Sequence, residues 1–282
     1  MMNLSDPAIV WFYIAVALQI SVTTVIIPLK IKSQFGKYLS FYTEEDHPAL
    51  YTSSSKVIDY ALRFYLLMSI SMAGASFYFL YSSFTNKQEL FNWDNQSGIM
   101  VLFLMSLLPL FFLIFVNKRY FKLLKDHASK KRTASLTIRR WQDFIPKFSI
   151  ALLILGHILF VAVNQYFQLH PFDGFAGYVN YLGVIFLDTV NVVAISLIIK
   201  GKNLSQVKGE DKKRIFQARA IKINVTIWIV AIYYLVIALL LAGAELRDYA
   251  LVIQSLYFVL IYVMVNKLFV SSSDITPPHS TA

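Results

Sequence analysis

Seven runs of apolar residues, each long enough to cross a bilayer, govern what this chain can fold into. They fall at residues 9–29, 57–81, 98–116, 148–166, 176–199, 223–243 and 249–265. A bilayer's hydrocarbon core is about 30 Å thick and takes about 20 residues of helix to cross. Each run is apolar on all sides rather than alternating, so it reads as a transmembrane helix and not as a barrel strand. The 282 residues are 57% hydrophobic and 15% charged, where an ordinary soluble domain carries about 25% charged residues. A soluble enzyme and a disordered chain are both excluded on that basis. The expected fold is all-α, a polytopic membrane protein built as a seven-helix bundle. Residues 1–270 are read as one transmembrane domain. Residues 271–282, with their serines and paired prolines, are read as a disordered cytoplasmic tail that carries no output domain.

The basic residues orient the bundle. The chain has 26 Lys and Arg against 16 Asp and Glu, a formal net charge of +10. Of those 26, 23 fall in residues 30–56, 117–147, 200–222 and the stretch after 265. The alternate connections hold only Lys87 and Arg247, and Arg63 lies inside a span. The positive-inside rule puts the N-terminus outside and the C-terminus in the cytoplasm, in a plasma membrane or a bacterial inner membrane. That asymmetry absorbs the net charge, so nucleic acid is not an expected partner. The first span is expected to be retained. No Lys or Arg precedes Pro7, the apolar run is too long for a signal peptide, and no small-x-small site follows it. Asp6-Pro7 reads instead as an N-cap and a first helical residue.

After the first helix the chain reads as three hairpins. Val116-Asn117-Lys118 and Val265-Asn266-Lys267 repeat an exit pattern, but three residues are too few to establish a duplication. The inner loops carry amphipathic stretches at residues 118–125 and 136–145. Arg139, Arg140 and Trp141 suit the headgroup level, and Lys212, Lys213 and Arg214 follow two acids at a helix start. The partner these groups imply is the anionic headgroup layer on the cytoplasmic side, at about 1 kcal/mol per basic residue. The plainer reading is topology alone. A protein partner is the further alternative.

Several chemistries fail for want of residues. Without cysteine there is no disulfide, thiolate metal site or cysteine nucleophile. His157 is the one histidine inside a span, which leaves neither bis-histidine haem nor a histidine-rich zinc site. No lysine lies deep in a helix for a Schiff base, and no Walker A, G-x-G-x-x-G or G-x-S-x-G sequence is present. No cofactor, metal or catalytic residue is expected. The run Glu44-Glu45-Asp46-His47 reads as a solvated acidic turn before Pro48.

The polar residues within the spans carry the functional reading. An aspartate at a helix centre costs about 2.5–3.5 kcal/mol on insertion scales, so such residues usually face the bundle interior. Depth is measured from the basic residue at each inner helix end. Asp188 lies 12 residues from Lys200, and His157 lies 10 from Lys147. Gln254 lies 13 from Lys267, and Tyr234 lies 12 from Lys222. At about 1.5 Å per residue these fall within one turn of one another near the midplane. On the fifth span Gly177, Asn180, Val184, Asp188 and Asn191 share one helical face. The expected site is an Asp188–His157 pair, with Asn191, Gln254 and Tyr234 completing its polar surroundings. An imidazole changes charge near neutral pH, so such a pair can hold or pass a proton. The bland alternative is that each group is satisfied within the bundle and locks its packing. Asp59 and Arg63, one turn apart, read as an intrahelical ion pair, with a cytoplasmic gate as the sharper reading. Pro109 alone lies well inside a span, so broken helices of the carrier type are not expected. A non-catalytic membrane protein that binds a partner, lipid or small ligand is therefore ranked first. A proton-linked or small-solute transporter or channel is the alternative, and an intramembrane enzyme comes last.

Overall fold

The computed structural model describes residues 7–41, 43–45, 55–86, 108, 144–200 and 210–269. Among these residues there is no strand. One long helix comprises α1 (Pro7–Ile20), a π-helical segment (Ser21–Ile26) and α2 (Ile27–Phe41). It is followed by α3 (Ser55–Asn86), α4 (Lys147–Leu169), α5 (Val179–Lys200), α6 (Glu210–Gly243) and α7 (Arg247–Phe269). Among the described residues, six helical stretches are long and apolar enough to cross a membrane: Pro7–Gln34, Asp59–Thr85, Lys147–Leu169, Val179–Lys200, Gln217–Gly243 and Arg247–Asn266. Each overlaps one of the spans expected from the sequence. The span expected at 98–116, apart from Leu108, the stretch 118–125 and the tail 271–282 lie outside the described residues. Of the stretch 136–145, only Phe144 and Ile145 are described. They form a turn and pack against Ile195, Ile221 and Val225.

The chain divides into two compact units, one of residues 1–132 with 258–282, the other of residues 133–257. In the first, the long helix contains a proline that the hydrophobic pattern places at a span's end. Pro28 lies within the helix that continues to Phe41. Proline has no N–H to donate, and its ring crowds the carbonyl four residues back. The chain relieves this by widening to π geometry just upstream, over Ser21–Ile26. Three hydroxyls then serve carbonyls on the preceding turn. Ser21 donates to Ala17 O at 2.8 Å, Thr23 to Gln19 O at 2.8 Å and Thr24 to Ile20 O at 2.6 Å. The helix is thus distorted but unbroken. Helix α3 packs on it, and Ser69, Ser76 and Ser83, spaced at seven residues along α3, are all buried. Small side chains let two helices approach closely where lipid supplies no hydrophobic drive. The hydroxyls of Tyr13 and Ser83 are 3.1 Å apart across this seam. Ile27, Ile31, Tyr65 and Tyr262 form a buried cluster in the same unit.

In the second unit, α4 and α5 form a hairpin and α6 packs against both. The α4–α5 turn depends on Gly174 at φ +76° and Gly177 at φ +63°, values in the left-handed region where a side chain is strained. This corrects the helical face expected for α5. Gly177 precedes the helix, and the face begins at Asn180. Phe160, Val184, Ile232 and Val236 fill the core between the three helices.

Replacing Thr24 by Val is expected to destabilise the protein by about 0.5–1.5 kcal/mol, the net value of one hydrogen bond. The same change at Thr85, exposed near the end of α3 and bonded to Tyr81 O at 3.0 Å, should cost measurably less. Reversible denaturant unfolding in mixed micelles compares the two. Equal losses would mean the π segment does not depend on its hydroxyls.

Candidate functional site

The site starts from a glycine. At Gly156 a β-carbon would stand 2.7 Å from Ile232 Cγ2 and 3.1 Å from the Tyr233 ring. No other residue type fits there without displacement, so α4 and α6 come close at this turn. The next residue, His157, points toward α5. Its Nε2 lies 3.0 Å from Asp188 Oδ1 and 3.2 Å from Oδ2. Its Nδ1 lies 2.8 Å from the carbonyl oxygen of Leu153, one turn back on its own helix. From α6, Trp228 Nε1 donates to Asp188 Oδ1 at 2.8 Å. The Trp228 and His157 rings meet edge to face, with centroids 6.3 Å apart. One carboxylate thus ties three helices together about midway along their lengths. The side chains of His157 and Asp188 are 29% and 33% exposed, so the pair is enclosed on most sides but reachable.

Polar contacts above and below hold the helices in register. Asn180 Nδ2 donates to Asn164 Oδ1 at 3.0 Å, two turns from the pair on the hairpin's turn side. At the other end Gln217 Nε2 reaches the carbonyl oxygens of Ile198 and Ile199 at 2.9 and 3.2 Å. Tyr233 donates to Leu152 O at 3.2 Å and further ties α6 to α4.

Asp188 and His157 are therefore adjacent, while the other residues named from sequence take different places. Asn191 is buried, and its amide donates to Leu187 O at 2.8 Å, within its own helix. Tyr234 stacks on Tyr257 with ring centroids 4.4 Å apart. Gln254 is buried without a hydrogen bond to the pair. Asp59 Oδ2 and Arg63 Nη2 form an ion pair at 2.7 Å, with side chains 48% and 69% exposed. Arg139, Arg140 and Trp141 lie outside the described residues. Lys212, Lys213 and Arg214 lie on the first turns of α6, and their side chains are outside the described set. Among the described residues no group of three or more His, Asp or Glu is placed to hold a metal ion.

Trp228 is the member that sequence reasoning misses. Depth on α6 is measured there from Lys222, but Gln217 is the residue level with the end of α5. Measured from Gln217, Trp228 lies 11 residues in, close to the 10–12 of His157 and Asp188. The same five-residue offset misplaces Tyr234. It lies six residues beyond Trp228, about 9 Å along the helix axis. An indole N–H six residues from Lys222 is the available signal, since a buried Trp usually donates to something.

No protein-family model, no curated protein and no solved structure matches the chain. Its class rests on its own helices: six of this length and apolarity suggest an integral membrane protein.

Replacing Asp188 by Ala leaves the Trp228 N–H and the His157 ring without their shared acceptor. An unsatisfied buried polar group costs about 1–3 kcal/mol and a half-buried one less, but this variant should still lose more stability than Trp228→Phe, which removes one donor and leaves the pair. Gly156→Ala should cost about 1–3 kcal/mol by overpacking against Ile232 and Tyr233. Thermal unfolding of the detergent-solubilised protein tests the order, and a Trp228→Phe loss as large as that of Asp188→Ala would contradict it.

Proposed function

We propose that this chain is a non-catalytic multi-pass membrane protein with seven spans, its N-terminus outside and its C-terminus in the cytoplasm. It resides in a plasma membrane or a bacterial inner membrane. The residues Asp188, His157 and Trp228 form a binding site in the apolar layer for a lipid, a small ligand or a partner segment that carries a hydrogen-bond donor. The observation that carries this reading is the carboxylate itself. A partly exposed Asp188 amid apolar helices is costly to place, and its Oδ1 takes both the Trp228 bond and the shorter His157 contact. Oδ2 keeps acceptor capacity for an incoming donor. The continuity of α4, α5 and α6 supports a rigid site over a moving carrier. Proton-linked transport is the second reading, favoured by the bonds at both nitrogens of His157. On the cytoplasmic side Lys212, Lys213, Arg214, Arg139, Arg140 and Trp141 would meet anionic headgroups.

Native mass spectrometry of protein extracted in mild detergent tests the site. Wild type should retain a bound small molecule or lipid that Asp188→Asn releases while helical content is unchanged. Equal retention by both would overturn the assignment. Proton flux in sealed liposomes separates the two readings, since a flux abolished by Asp188→Asn would favour transport.

Topology can be tested directly because the chain has no cysteine. Single substitutions Asn3→Cys and Asp173→Cys should react with an impermeant maleimide from outside intact cells. Ser205→Cys and Ser271→Cys should react only after permeabilisation. Labelling of Asn3→Cys and Ser271→Cys from the same side would refute an odd number of spans.

A further inference from the structure

The bonds around His157 set a proton count. Nδ1 lies 2.8 Å from the Leu153 carbonyl oxygen, an atom that can only accept, so Nδ1 carries a hydrogen. A neutral ring protonated at Nδ1 presents only a lone pair at Nε2. An ionised carboxylate also presents only lone pairs. Yet Nε2 stands 3.0 and 3.2 Å from the two oxygens of Asp188. The contact therefore needs one further proton. It sits on Nε2, giving imidazolium against carboxylate, or on Asp188, giving a neutral acid that donates to a neutral ring. Both forms hold the same number of protons and the same net charge of zero. Trp228 donates to Oδ1 in either form.

Removal of that proton has a structural consequence. With Nδ1 still protonated, lone pairs of Nε2 and of the carboxylate face each other at 3.0 Å. If the hydrogen moves to Nε2, the Nδ1 lone pair faces the Leu153 oxygen at 2.8 Å. One of the two His157 contacts is lost in either case. No other charged side chain lies between Lys147 and His170 on α4, between Val179 and Lys200 on α5, or between Lys222 and Gly243 on α6. The other titratable groups of these stretches are tyrosines. Tyr233 is committed to Leu152 O, Tyr181 packs edge to face on Phe160, Tyr166 stacks on His170 and Tyr234 on Tyr257.

We infer that Asp188, His157 and Trp228 form a proton-binding site, in which a single shared proton latches α4 to α5 and its release frees His157 from one of its two partners. This rests on reading the three residues as a binding site, and it names the hydrogen ion as what that site takes.

The test is nitrogen-15 NMR of the full chain in lipid nanodiscs, labelled at histidine and at the tryptophan indole. The titration runs from mildly acidic to mildly alkaline pH, across which the shared proton is expected to leave. His157→Gln and Trp228→Phe identify the two signals. Below the transition, His157 should show a protonated Nδ1 and an Nε2 that either carries or accepts the shared proton. Above it, the ring should change tautomer or lose a hydrogen bond, and the Trp228 indole N–H should shift at the same midpoint. Trp228→Phe should keep the histidine transition, and Asp188→Asn should move it clearly. Should Asp188→Asn fail to fold, Asp188→Glu keeps an acid at the site and should keep the transition. A neutral wild-type ring protonated at Nε2 throughout the range, or a transition unchanged in Asp188→Asn, would overturn the inference. The proton site and the larger ligand fail separately. A titrating His157 in a protein that retains no bound molecule would remove the ligand and leave the proton, and a bound molecule beside an untitrated ring would do the reverse.

Discussion

A polar group inside an apolar helix packing has no water to turn to, and most of what distinguishes this structure follows from where such groups find partners. Short hydroxyls solve the problem locally. Ser21, Thr23 and Thr24 return to carbonyls one turn back on their own helix, as does Ser69 at 2.9 Å. Such groups add little specificity between helices because their bonds close within one. A carboxylate cannot do this. It lacks a hydrogen of its own when ionised and must draw donors from elsewhere. Asp188 obtains them from two other helices, so its satisfaction and the arrangement of α4, α5 and α6 are the same fact.

The register of that three-helix arrangement is set by few contacts. Apolar side chains such as Val184, Ile232 and Val236 fill the core, but side chains of similar size repeat along these helices and a slip of one turn would still bury them. The bonds from Asn180 to Asn164, from Trp228 to Asp188 and from Gln217 to the end of α5 do not survive such a slip. Gly156 adds a steric condition at the centre, since only there can Ile232 come this close to the backbone of α4. Polar specificity and small-residue packing thus act on the same pair of turns. The placement of His157 is their product. Its ring is held between Leu153 and Asp188 at hydrogen-bonding distance on both sides.

The first unit uses the same physics to a different end. Pro28 removes a backbone donor from the middle of a helix, and the hydroxyl-rich segment before it accommodates the change. The proline is visible in the sequence, but its consequence is not, because the apolar run ends at Leu29. The helix runs on through a more polar stretch to Phe41, which places the proline in its interior. The limits of a hydrophobic run and the limits of a helix differ here, as they also do on α6. That helix begins seven residues before Gln217, while its apolar run starts only after Lys222.

From the sequence alone come the helical class and the position of six of the spans, since composition and run length decide whether a segment can lose its water. The common depth of His157 and Asp188 is also legible, because both lie at similar distances from a basic residue near a helix end. What the linear order cannot supply is rotation and axial offset. Asn191, Tyr234 and Gln254 are also polar and nearly as deep by the same measure, yet Asn191 bonds within its own helix, Tyr234 stacks on Tyr257 and Gln254 makes no hydrogen bond to the pair. Trp228, offset by five residues on that scale, supplies the third contact. Depth is a one-dimensional quantity that a sequence carries. Which side chain turns to which neighbour depends on how three helices rotate and slide against one another, and only the tertiary packing around Gly156 and Asp188 decides that.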